Sequence, residues 1–128
     1  MNRIFLIILS IISFYHIHYA QTTIRITKTQ IIVPQTIDFG KIDSQEKYIK
    51  LFIRNERDNA INLKNIEAPK GFVVSIDNKT LKPKSQTIVY IGILPTLLTD
   101  TIIKEKIKIE TNLILPIVLN VEAKKIKK

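Results

Sequence analysis

The sequence predicts an all-β fold, a two-layer sandwich of about seven strands, and three observations carry that prediction. Isoleucine supplies 27 of the 128 residues, and β-branched side chains suit a pleated, half-buried surface better than a helix. Apolar and polar residues alternate in short runs bounded by Pro, Gly, Asn and Asp, the period-two signature of strands, and no segment after Gln21 shows a convincing amphipathic helix. The run from Lys106 to Lys124 reads as two long strands folded back about Thr111-Asn112, the last hairpin of the sandwich. Turn signals recurring roughly every ten residues complete the pattern.

The chain begins with the three parts of a secretory signal peptide. Met1-Asn2-Arg3 is positive, Ile4 to Tyr15 is nearly all apolar, and His16 to Ala20 is a more polar end closing on a small residue. Residues 1–20 are expected to be the signal, cut between Ala20 and Gln21. The apolar run is shorter than the ~20 residues of a spanning helix, so no transmembrane span is expected in the mature chain. An uncleaved tether is the alternative. Export then places the protein in the periplasm or outside the cell. Removing the signal leaves roughly 110 residues, enough to bury about two-thirds of the unfolded surface in one core.

In order, residues 21–30 form an N-terminal extension containing Ile24 to Thr27, and the sandwich is expected over 31–123. Thr36 to Ile42 is a strand with Gly40 placed for a bend. Glu46 to Asn55 turns Ile49, Leu51 and Ile53 to one face and Tyr48, Lys50, Phe52 and Arg54 to the other. Glu56 to Asn59 is a polar turn. Ala60 to Ala68 alternates until Ile66 breaks phase, as a bulge or strand end does. Phe72 to Ile76, Gln86 to Leu94, Thr101 to Thr111 and Leu113 to Ala123 follow, and Lys124 to Lys128 is a basic tail.

Net charge is +9, with sixteen lysines and four arginines. Together with the Ile and Asn content this reads as compositional bias and as solubilising strand edges rather than as a nucleic-acid footprint. Both histidines lie in the signal, and the chain has no Cys or Trp. Ser-His-Asp or Cys-His catalysis and His/Cys zinc sites therefore have no residues to use in the mature chain. Gly40, Gly71 and Gly92 stand alone, so no phosphate-cradling or dinucleotide loop is present. Neither a cofactor nor a metal is expected. Carboxylate pairs remain as the only catalytic chemistry, but Glu56, Asp58 and Asp77 sit in turns, where acids usually bond their own backbone.

Two surfaces stand out. If Ile49, Leu51 and Ile53 face inward and Gln86 to Leu94 lies alongside, then Tyr48, Phe52, Arg54, Ile88 and Tyr90 share an outward face. A contiguous aromatic and basic patch suits a protein or glycan partner, unless Ile24–Thr27 or the Leu97–Leu98 connection covers it. Lys104, Lys106 and Lys108 form the second face, suited to an anionic envelope polymer or lipid head group.

Three phrases in order carry a resemblance: Ile37-Asp-Phe-Gly-Lys-Ile42; Leu51-Phe-Ile-Arg-Asn55 with Leu63-Lys-Asn-Ile-Glu-Ala68; and Ile107 to Asn112 with Leu115 to Ala123. They resemble a bacterial domain-of-unknown-function family with an ASH/Hydin-like immunoglobulin fold, related to major-sperm-protein and PapD-like sandwiches and common in exported proteins of Bacteroidetes. This chain has Lys70-Gly71-Phe72 where that family often carries Cys-Gly-Cys, so no thiol or metal role carries over. The resemblance implies an immunoglobulin-like sandwich and no defined activity. The expected function is a non-catalytic interaction or structural module of the bacterial envelope. A PapD-like assembly component acting by strand addition along the first or last strand is the alternative, and a carbohydrate-active enzyme ranks third.

Overall fold

The computed structural model describes residues 22–34 and 36–126. The expected signal peptide, its Ala20–Gln21 cleavage site and the last two lysines of the tail lie outside the described residues. The fold is the predicted all-β sandwich. Among the described residues its strands are β1 (Thr23–Ile26), β2 (Ile31–Ile32), β3 (Ile37–Ile42), β4 (Lys47–Asn55), β5 (Ile61–Glu67), β6 (Phe72–Ile76), β7 (Thr80–Leu81), β8 (Gln86–Ile93), β9 (Ile102–Thr111) and β10 (Ile117–Lys125), with a 3-10 turn at Pro95–Leu97. The count exceeds seven because β2 and β7 are two-residue strands and because the N-terminal segment joins a sheet as β1. Among the described residues no helix is long and apolar enough to cross a membrane.

One sheet has the order β2-β1-β4-β8-β6 and the other β3-β10-β9-β5-β7. β1 runs parallel to β4 and β3 parallel to β10, while the remaining pairs are antiparallel. The inward phase of each strand fills the space between the sheets. Leu51, Ile53, Val89, Ile91 and Ile93 of one layer meet Ile107, Ile109, Ile117, Leu119 and Val121 of the other, all essentially without solvent contact. Burying each such side chain contributes about 1.5–3 kcal/mol, so the interlayer core outweighs any surface pair. Phe39 and Phe72 join the two layers with their rings tilted at 60° and their centroids 6.2 Å apart.

Local irregularities follow the sequence signals. The pairing of β5 with β9 slips between Leu63 and Ile66, the bulge that Ile66's broken phase predicts. β3 carries an extra residue against β10 at Gly40, whose φ of +71° places it in the left-handed region. Gly71, at φ +92°, turns the chain into β6 with the Leu98 side chain packed directly against its α-carbon.

Three expectations need correction. The last hairpin is present, but its turn extends to Pro116, because proline has no N–H to give to a ladder inside a sheet. β10 therefore starts at Ile117, not at Leu113. It also runs through Lys124 and Lys125, two residues of the expected tail; Lys125 Nζ donates to the Pro95 carbonyl at 2.8 Å and also to that of Leu98. Finally, neither the first nor the last described strand is an edge, since β1 lies between β2 and β4 and β10 between β3 and β9, so neither offers an open side to an added strand.

Candidate functional site

The first sheet's outward face assembles the aromatic and basic residues that alternation picks out. Antiparallel register sets Lys50 opposite Tyr90, Phe52 opposite Ile88, Tyr48 opposite Gly92 and Arg54 opposite Gln86. On one flank Thr23 of β1 pairs with Phe52 and Arg25 with Arg54. On the other, Val73 and Ser75 of β6 pair with Gly92 and Tyr90. Directly opposed side chains in a sheet lie close enough to interact, so Tyr48, Phe52, Arg54, Ile88 and Tyr90 form one continuous surface. Phe52, Arg54 and Ile88 are half-buried among their neighbours. Tyr48 remains 58% exposed and Tyr90 36%.

Specific contacts hold this face open. Gly92 is buried under the Tyr48 ring, and a Cβ there would lie 2.5 Å from Tyr48 Cε1 and 2.8 Å from Val73 Cγ2. The missing side chain is what lets the ring lie across the sheet. Lys50 Nζ sits 5.4 Å from the Phe52 ring centroid, a cation–π pair at an exposed site. Tyr48 donates its phenol proton to Glu46 at 2.9 Å. That hydrogen bond and the negative charge behind it hold the proton on and raise the tyrosine's pKa.

Neither expected cover lies over the patch. β1 extends the sheet sideways beyond β4, and Leu98 packs against Gly71 at the turn before β6. Among the described residues the face is open to solvent.

The lysine face has a different character. Lys104, Lys106 and Lys108 do project together from β9, but Lys104 lies opposite Glu122, Lys106 opposite Asn120, and Lys108 between Val118 and Glu67. Acids interleaved at two of three positions make it a mixed-charge strand surface, with little local excess of positive charge to attract an anion.

The turn acids also find partners other than their own backbone. Glu56 is paired bidentately with Arg25, whose Nε and Nη2 on one guanidinium edge donate to the two carboxylate oxygens, the second bond at 2.9 Å. The Arg25 hydrogen bond pulls the Glu56 carboxyl below the usual carboxylate range, against a smaller desolvation effect, and raises the Arg25 pKa in return. Asp58 bridges Lys28 at 3.2 Å and Lys84 at 3.4 Å, and both cations lower its pKa. The residue that organises this turn is Asn55, fully buried at the end of β4. Its Nδ2 donates to the carbonyls of Asn59, Leu81 and Lys82 at 2.9, 3.1 and 3.2 Å, and its Oδ1 accepts from the Arg57 N–H at 2.9 Å. A polar residue where alternation demands an apolar one was the available signal.

Among the described residues no group of three or more His, Cys, Asp or Glu converges as a metal site would require. The described residues include Ser44, Ser75 and Ser85 but no histidine.

No protein-family model and no curated protein matches the chain. Solved structures do share its fold. A protein of unknown function from Porphyromonas gingivalis W83 superposes with a TM-score of 0.65 at 20% identity, over 70% of this chain and 43% of that one. The VesB protease of Vibrio cholerae gives 0.58 at 12% identity, over 70% and 30%. The secreted serine protease VesC of Vibrio cholerae gives 0.50 at 14%, over 69% and 21%. At these identities the likeness is one of fold, and the chain spans less than half the length of each neighbour.

Proposed function

We propose that the protein is an exported, non-catalytic immunoglobulin-like interaction module of a bacterial cell envelope. It binds a protein or glycan partner through the face built by Tyr48, Phe52, Arg54, Ile88 and Tyr90. The observation that carries this reading is the open aromatic and basic surface itself: folding does not require two exposed tyrosines and a cation–π pair on the solvent side of a sheet. The recurrence of the fold within three longer chains supports a modular role. Two of those neighbours are proteases, but residues 22–126 hold no histidine or cysteine with which a serine or thiol nucleophile could be activated.

The test is titration of the protein against envelope glycans and envelope proteins. Phe52→Thr with Tyr90→Thr keeps strand propensity while removing both rings. Capture lost at unchanged thermal stability supports the reading; capture retained by the double variant refutes it. Strand addition is the competing reading, favoured by the free side of β6, a five-residue edge strand. It predicts new amide protection along Phe72–Ile76 when an extended peptide is added, with indifference to the two ring deletions.

A further inference from the structure

The β9–β10 turn is apolar where turns are ordinarily polar. Asn112-Leu113-Ile114-Leu115-Pro116 leaves Ile114 100% exposed and Leu115 67% exposed, while Leu113 packs back on the core. Hydrogen bonds anchor both ends of the turn. The Asn112 N–H donates to the Asn62 carbonyl at 3.1 Å, and Asn112 Oδ1 accepts from the Asn62 N–H at 3.0 Å. Thr111 Oγ1 accepts from the Leu113 N–H at 2.9 Å and donates to the Leu115 carbonyl at 3.3 Å. The two aliphatic side chains are thus presented to solvent by a fixed loop.

Basic groups frame this tip. The β1–β2 turn stands beside it across an open groove of about 400 Å³, lined by Ile26, Ile31, Arg57 and the tip's own Leu113, Ile114 and Leu115. Arg57 donates Nη1 to the carbonyls of Thr27 and Lys28, at 3.2 and 3.1 Å. Among the described residues no carboxylate pairs with it. Lys28 and Lys84 share the single acid Asp58. The turns on this side carry Lys28, Arg57, Lys82 and Lys84 against Glu56 and Asp58, an excess of positive charge.

We propose that this hairpin tip docks the protein on an anionic phospholipid surface, Ile114 and Leu115 entering the headgroup–acyl boundary while Arg57 and Lys28 lie against lipid phosphates. Area and charge both select this occupant. Stable association with another protein needs about 1,000 Å² or more of buried surface, far beyond two protruding side chains. A bilayer needs only a small apolar wedge helped by cations, the combination found here.

The absence of native cysteine makes the test clean. The full chain carrying Ile114→Cys is labelled with an environment-sensitive dye and mixed with phosphatidylcholine vesicles containing about one-third phosphatidylglycerol. A second preparation carries the dye at Asn120→Cys, on the exposed side of β10. Because the dye reports its own surroundings, adsorption through residues 1–21 does not mimic insertion of the tip. Docking predicts a blue-shifted, brighter signal at position 114 and none at 120. The signal should weaken about tenfold in Leu115→Asp and fall as salt rises from about 0.1 to 0.5 M. A water-like signal at 114 on vesicles that carry the protein overturns the proposal. So does equal insertion into pure phosphatidylcholine. A shift that grows with protein concentration in the absence of lipid also overturns it, in favour of a second copy of the chain.

Discussion

Replacing Asn55 with alanine is expected to cost about 3–4 kcal/mol. The carboxamide makes four hydrogen bonds with no solvent contact. Each is worth about 1 kcal/mol net, and truncation takes the carboxamide away from the carbonyls of Asn59, Leu81 and Lys82 and from the Arg57 N–H. In a domain of this size that loss lowers Tm by roughly 15–25 °C, read by calorimetry or circular dichroism. Asn55→Asp separates the electrostatic part from the packing part. It keeps the shape but turns the donating end, which faces three carbonyl oxygens, into an acceptor. Ionisation there is opposed by burial and by those oxygens, so the introduced carboxyl has a raised folded pKa. Its protonated form can still donate one bond. The deficit relative to the natural protein should therefore be smallest near pH 4 and widen as pH rises through the raised pKa. An alanine variant losing less than about 1 kcal/mol, or an aspartate variant whose deficit does not change with pH, would refute the assignment of Asn55 as the knot joining β4, β7 and the turn between β4 and β5.

Acid should destabilise the fold through the turn carboxylates. Glu56 and Asp58 have lowered folded pKa values, so below about pH 4.5 the unfolded chain binds more protons than the folded one and stability falls with pH. Glu56→Gln with Asp58→Asn should flatten that fall in pH-dependent denaturant titrations. Gly71→Ala should lower stability by at least about 1 kcal/mol, since φ is positive there and the added methyl must displace Leu98. Chemical denaturation reads this directly, and Gly40→Ala, which meets open space, should show the backbone cost alone.

Alternation made most of the sandwich legible in the sequence. Period two in β4 and β8 puts Leu51, Ile53, Val89 and Ile91 inside, and that same parity turns Phe52, Ile88 and Tyr90 outward. A one-residue slip would have exchanged the two sets. What escaped depends on partners far away in sequence. The four residues of β1 look alike in sequence whether they extend from the sandwich or join a sheet, and their place is set by pairing with β4. The acids that neutralise the lysine face come from β5 and β10, so a single strand viewed alone overstated its charge. The hairpin tip reads as strand because Leu-Ile-Leu is apolar, although Pro116 marks where pairing has to start. Alternation puts Asn55 on the inward phase of β4, but its position at the strand end leaves burial open, since a terminal strand residue is as often solvated as enclosed.

The register of β4 against β8 decides whether the aromatic face exists, and nuclear Overhauser contacts from the Ile88 methyls measure it most directly. Contacts to the Phe52 ring, together with contacts between Tyr90 and the Lys50 side chain and from the Val89 methyls to Leu51, are the predicted result. Contacts from Ile88 to Ile107 or Ile117 of the opposite sheet would put that face inside the sandwich and contradict the account.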